Sequence, residues 1–184
     1  MTADGPLLDA DQIRGLLTEL GRRLHARGIT AQLFLVGGAA MALAYNSRRA
    51  TRDIDGVFEP KTEIYAEAAL MADEAALPPD WLNDGVKGLL PDRSAVEIGS
   101  HFEAEGIAVS VASAEYLFAM KALAAREEVD ADDLRFLAQH LGLRDAQQAT
   151  DLVERFSEQH RLKPVTQYLL ADLFAEPSAA DDPT

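Results

Sequence analysis

The sequence predicts an α/β (α+β) fold: a small mixed sheet packed on helices, with a helical C-terminal part. Three observations lead there. Up to residue 112, short apolar runs closed by glycine or polar residues alternate with segments of helical period. From Ser113 onward only helical periodicity follows. The 184 residues are 48% hydrophobic and 26% charged, enough apolar volume for a core and too much for wholesale disorder. The expected organisation is a core over 9–112, a helical part over 113–174 and a frayed, acidic tail over 175–184.

The elements follow in order. Asp9 or Asp11 can cap a first helix whose apolar face is Ile13, Leu16, Leu17, Leu20 and Leu24, with Gly28 as its stop. Gln32 to Val36 is a short apolar run closed by Gly37 and Gly38, which predicts a buried strand; Ala39 to Tyr45 then reads as a short helix. Ser47 to Arg52 is an Arg-rich loop, and Asp53 to Phe58 alternates as a half-buried strand. Thr62 can cap a helix reaching about Ala76, ended by Pro78-Pro79. A short helix is expected around Leu82 to Leu89, then strands at Ala95 to Ile98 and Ile107 to Val111. Four helices complete the chain: from a Ser113 cap to Arg126, from Asp130 or Asp132 to His140, from Asp145 to Gln159, and from Pro164 to Phe174.

Composition narrows the chemistry. The absence of cysteine excludes disulfides, thiolate zinc sites and a cysteine nucleophile. Four histidines, His25, His101, His140 and His160, stand singly without ligand spacing. With 17 basic against 31 acidic residues the net charge is −14, which repels polyphosphate at long range and argues against bulk DNA binding. The acidic N-terminal residues lack a secretion signature, and no apolar run reaches the ~20 residues of a membrane span, so a soluble cytoplasmic protein is expected.

The block Leu35-Val36-Gly37-Gly38-Ala39-Ala40, followed by Thr51-Arg52-Asp53-Ile54-Asp55, carries the most chemistry. A strand that ends in Gly-Gly and opens a helix lets a phosphate approach the backbone amides. Two carboxylates one residue apart on a strand share a face and repel unless a cation joins them. Hard Mg2+ suits such oxygens while keeping sites for substrate phosphates. Together these features describe metal-assisted nucleotide transfer.

These residues resemble the nucleotidyltransferase superfamily related to DNA polymerase beta, whose pattern is a hydrophobe, Gly-Gly or Gly-Ser, a spacer, then Asp-x-Asp or Asp-x-Glu. Here the spacer, Ala39 to Arg52, is 14 residues, and Gly56 stands where the pattern prefers a hydrophobe. Further along, Trp81 to Lys87, Val111 to Lys121 and Asp130 to Leu134 are similar to the bacterial branch related to abortive-infection toxins and to toxins paired with minimal antitoxins. The likeness spans Ile13 to Phe174.

The resemblance implies an enzyme of nucleotidyltransferase-type fold that moves NMP from an NTP to an acceptor, most specifically a toxin acting on the tRNA 3′ end, with a cognate antitoxin. Asp53 and Asp55 would hold Mg2+ (or Mn2+), and Gly37, Gly38, Arg48, Arg49 and Arg52 would receive the nucleotide. Lys121 would neutralise triphosphate charge, and Asp133, with Asp130 as rival, would orient Lys121 or act as general base. Many members carry a third metal carboxylate on a later strand; Val109 and Val111 cannot supply it, and Glu97 is the nearest candidate. Thr51 is a candidate regulatory hydroxyl, a target for a kinase-like antitoxin.

Each piece also has a plain structural reading. Gly37-Gly38 can be a tight turn, and Asp-Ile-Asp a solvated strand face. Lys121 can snorkel from an apolar helix, and Asp130, Asp132 or Asp133 can cap one. The arginines can be an ordinary solvated loop. The alternatives for function are transfer to a small molecule or a protein hydroxyl, and a degenerate module that binds nucleotide or a partner without catalysis.

Overall fold

The computed structural model describes residues 6–46, 49–85, 98–124, 127–157 and 162–175. The chain divides into two compact units, Met1–Ser113 and Ala114–Thr184. The first is a mixed sheet with helices, the second entirely helical among its described residues.

In the first unit, α1 (Ala10–Ala26) begins with a capping box: the Asp9 carboxylate accepts from the Gln12 N–H, and the Gln12 side chain accepts from the Asp9 N–H. Its apolar stripe, Ile13, Leu17, Leu20 and Leu24, is fully buried. The strands are β1 (Ala31–Leu35), β2 (Ile54–Glu59), β3 (Leu82–Asn83), β4 (Ile98–Ala104) and β5 (Ile107–Ala112), in the order β3-β2-β1-β5-β4. β1 runs antiparallel to β2 and parallel to β5; β2 is parallel to β3, and β4 antiparallel to β5. The sheet is therefore mixed, as the sequence predicts.

Alternation along the strands decides what faces where. Leu33, Leu35, Ile54, Phe58, Ile107 and Val109 enter one core cluster with the stripe of α1 and with Ile64, Ala68 and Met71 of α3 (Lys61–Ala75). The opposite set, including Phe34, Asp55, Val57, Ala108 and Ser110, is only half-buried. α1 approaches the β4–β5 turn closely: a Cβ at Gly21 would lie 2.5 Å from the Glu105 carbonyl oxygen.

Several boundaries differ from the sequence prediction. β3 takes Leu82 and Asn83 out of the expected helix over Leu82–Leu89, because their backbones pair with Ile54 and Asp55; residues 86–89 lie outside the described part. α3 starts at Lys61 with Pro60 at its N-cap, not at a Thr62 cap. It ends where Ala76 turns left-handed (φ 52°), two residues before Pro78. Of the strand expected at Ala95–Ile98 only Ile98 is described; β4 instead extends to Ala104, paired along β5.

In the second unit, α4 (Ala114–Ala124) is followed by α5 (Glu127–His140), α6 (Ala146–Glu154) and α7 (Pro164–Leu173). Asp145 caps α6 by accepting from the Gln148 N–H at 2.8 Å. Tyr116 of α4 meets the Phe156 ring edge-on, centroids 5.6 Å apart, and burial pushes its hydroxyl up to about 12. α5 begins before Asp130, so Asp130, Asp132 and Asp133 are interior helix positions and not its cap. The expected tail beyond residue 175 lies outside the described residues.

Candidate functional site

The glycine turn grows directly out of β1. Leu35 ends the strand, the Val36 N–H donates to the Asp55 carbonyl at 3.0 Å, and α2 (Gly37–Ala40) opens at once. It widens into a π-helical turn, Met41–Tyr45, whose end is marked by the Asn46 N–H reaching back to the Met41 carbonyl. The Tyr45 hydroxyl donates to the Ala112 carbonyl at 2.8 Å, tying this helical segment to β5.

The two glycines answer to two different neighbours. Gly37 has φ +64°, and a Cβ there would sit 3.1 Å from the Asp55 Oδ2. A Cβ at Gly38 would lie 2.5 Å from the Thr51 Oγ1. A side chain at Gly37 would thus press on Asp55, and one at Gly38 would displace Thr51. The sequence motif expects a phosphate cradle at this place.

Asp53 immediately precedes β2 and Asp55 lies within it; both are half-buried, while Ile54 between them is fully buried. Thr51 is fixed by a two-bond backbone bridge to Leu8 (2.7 and 3.0 Å), and its hydroxyl donates to the Asp53 Oδ1 at 3.4 Å. The Asn83 amide approaches the Asp53 Oδ2 at 3.5 Å. Gly37, Gly38, Thr51, Asp53 and Asp55 therefore form one group, with hard oxygen donors of the kind that Mg2+ or Mn2+ prefers. Arg49 is half-buried and Arg52 exposed beside it; Arg48 and Glu97 lie outside the described residues.

The β5 positions that share Asp55's sheet face are Ala108, Ser110 and Ala112, none of them acidic, while Val109 and Val111 point into the core. No set of three His, Cys, Asp or Glu side chains among the described residues could hold a metal. On that face lies an open groove of about 610 Å³, bordered by Gln32, Phe34, Val57, Glu59, His101 and Ser110.

The remaining predicted residues form a second group, inside the helical unit. The Lys121 ammonium lies 2.5 Å from the Asp130 Oδ1 and 2.8 Å from the Asp133 Oδ2. All three side chains are nearly buried, at 11%, 7% and 5% exposure. Lys121 thus pairs with both carboxylates and does not snorkel to water. The spacing explains it: Asp130 and Asp133 are three apart on α5 and share a face.

Sequence reading passed over two features. Asn83 gives no signal until β3 brings it beside Asp55. The Leu8–Thr51 bridge is a non-local backbone pairing that no local pattern encodes. Gly56, the departure from the motif, is explained by crowding: a Cβ there would lie 2.6 Å from the Phe34 carbonyl oxygen and 3.1 Å from Leu35. Among described helices none is long and apolar enough to cross a membrane.

No protein-family model matches the chain, and no curated protein matches it. Among solved structures it is similar to an antigenic nucleotidyltransferase-like protein from Paracoccidioides brasiliensis. The identity is 14% over 91% of this chain and 89% of that one, with a TM-score of 0.44, a distant likeness.

Proposed function

We propose that this chain is a metal-dependent nucleotidyltransferase that moves NMP from an NTP to an acceptor hydroxyl. The observation that carries this reading is the meeting of the glycine turn with Asp55 of the Asp-x-Asp pair: the position a Gly37 Cβ would take lies 3.1 Å from the Asp55 Oδ2. A bare strand face or an ordinary tight turn has no need for that juxtaposition.

Asp53 and Asp55 are the residues that would hold Mg2+ or Mn2+. An ion held there would supply charge to offset the triphosphate and Lewis acidity at the reacting phosphorus. The backbone amides that follow Gly37 and Gly38 donate to phosphate oxygens. In the transfer, the acceptor oxygen bonds to the α-phosphorus while that phosphorus loses its bond to the bridging oxygen; pyrophosphate leaves with the electron pair, and a carboxylate takes the hydroxyl proton. Lys121, oriented by Asp130 and Asp133, is assigned to triphosphate charge on the strength of the sequence resemblance.

The resemblance favours a tRNA 3′ end as acceptor and a toxin restrained by an antitoxin, with Thr51 as a modification target. A phosphate on the Thr51 Oγ1 would add negative charge beside Asp53 and against Gly38, disfavouring a bound triphosphate.

The test is incubation with each α-labelled NTP, Mg2+ and total tRNA, with Asp53→Ala in parallel. Label on RNA from the wild type, reduced about a thousandfold in the variant, is expected for a lost interaction worth ~4 kcal/mol. Label on the protein moves the acceptor to a protein hydroxyl. NTP binding without any transfer overturns the enzyme reading in favour of a binding module.

A further inference from the structure

Resting on the transferase reading above, we infer that Asn83 is a positioning residue: its side-chain amide fixes the orientation of the Asp53 carboxylate. β3 is two residues long, too short to stabilise a sheet edge by itself. Its pairing aligns Leu82 with Ile54 and Asn83 with Asp55, so Asn83 stands beside the acidic pair by backbone register.

Both flanks of Asn83 are anchored. On one side Trp81 is fully buried, its indole N–H donates to the Ala68 carbonyl at 3.0 Å, and its carbonyl accepts from the Ile54 N–H at 2.7 Å. On the other side the Asp84 carboxylate is gripped by Lys61 and accepts from the Tyr65 hydroxyl at 2.7 Å; Lys61, then Tyr65, hold its carboxyl below the ordinary range. The Asn83 Oδ1 accepts from the Gly85 N–H at 3.0 Å, which leaves the amide Nδ2 to face the Asp53 Oδ2 at 3.5 Å and the Asp80 carbonyl at 3.5 Å.

The result is a bracket. Thr51 reaches the Asp53 Oδ1 and Asn83 the Oδ2, from two segments that are each pinned to the body of the unit. Both of these partners are uncharged, so they orient the carboxylate without themselves neutralising it. A carboxylate meant for a cation needs that combination, since partners that fix a ligand's rotamer raise its affinity while a bound counter-ion would compete.

The experiment measures Mn2+ binding to the full chain by electron paramagnetic resonance, with thermal melts as a folding control. Asn83→Ala is expected to keep the wild-type melting midpoint and to weaken Mn2+ about tenfold, the scale for losing an outer partner of a metal ligand. Asn83→Asp keeps the oxygen that accepts from Gly85 and removes the amide donor; its Mn2+ spectrum is expected to differ from the wild type's. Wild-type affinity in Asn83→Ala overturns the assignment, as does a wild-type affinity and spectrum in Asn83→Asp, which would confine Asn83 to the turn. If the wild type shows no Mn2+ binding that Asp53→Ala abolishes, the transferase reading falls and this role with it. If binding depends on Asp53 but not on Asn83, only the positioning role falls.

Discussion

Two pairs of carboxylates in this chain have been solved in opposite ways. In the helical unit, Asp130 and Asp133 close on the Lys121 ammonium at 2.5 and 2.8 Å in a nearly buried setting. In the sheet unit, Asp53 meets a hydroxyl at 3.4 Å and an amide at 3.5 Å, and Asp55 stands against the glycine turn. The first pair is closed by a nearly buried ammonium; in the second, Asp53 is held by a hydroxyl and an amide, and Asp55 stands where a side chain at Gly37 would intrude.

Removing the lysine breaks the comparison on its helical side and carries the largest expected effect. Lys121→Met would leave two carboxylates facing each other in a nearly dry site, and the expected loss is about 3–5 kcal/mol in urea unfolding of the full chain. The triple variant Lys121→Met, Asp130→Asn, Asp133→Asn should recover most of it, because it removes the uncompensated charge. A single variant that loses less than about 1 kcal/mol would mean that the cluster is solvated like a surface pair.

A smaller effect sharpens the other side. Gly28 and Gly37 both have positive φ, +73° and +64°, but a Cβ at Gly28 meets nothing within 4 Å whereas one at Gly37 meets Asp55. Gly28→Ala should cost only the left-handed backbone, about 1–2 kcal/mol. Gly37→Ala should cost at least that, and should also lower Mn2+ affinity by displacing the Asp55 carboxylate. Equal Mn2+ binding in the two variants would sink the claim that the glycine turn is shaped around Asp55.

How much of this was legible in the sequence follows the same division. The strand closing on Gly37-Gly38 and the period of α1 are local patterns, and the structure keeps them within a residue or two. That Lys121 would meet Asp133, with Asp130 as rival, was implied by family resemblance and not by spacing across the α4–α5 connection; the structure pairs it with both. β3 was read as helix because Leu82 and Asn83 pair with a strand more than 25 residues away, information that no window around them contains. Gly56 looked like a flaw in the motif for the same reason: the Phe34 carbonyl that crowds it comes from a neighbouring strand.

The smallest effect extends the comparison into water. Glu19 on α1 accepts from Arg22 and Arg23 at 2.7 and 2.6 Å, distances as short as those in the buried lysine cluster, and Arg23 reaches on to Glu74 of α3 at 2.5 Å. The Arg22 guanidinium, then Arg23, hold the Glu19 carboxyl down at about 2 against an ordinary 4.5. A carboxyl with a lowered folded value stabilises the fold fully above its unfolded value and ceases to do so as pH falls through the folded one. Glu19 should therefore contribute above pH 4.5 and lose that contribution between 4.5 and about 2. With the Glu19 side chain 35% exposed and that of Arg22 58%, solvent screening holds the contribution below about 1 kcal/mol. Glu19→Gln compared with the wild type in urea unfolding should show that small deficit at neutral pH, fading toward the acid end and shrinking in about 0.5 M salt. A deficit that grew on acidification would contradict the sign worked out here, and one as large as that of Lys121→Met would show that short distance, and not burial, sets what an ion pair is worth in this chain.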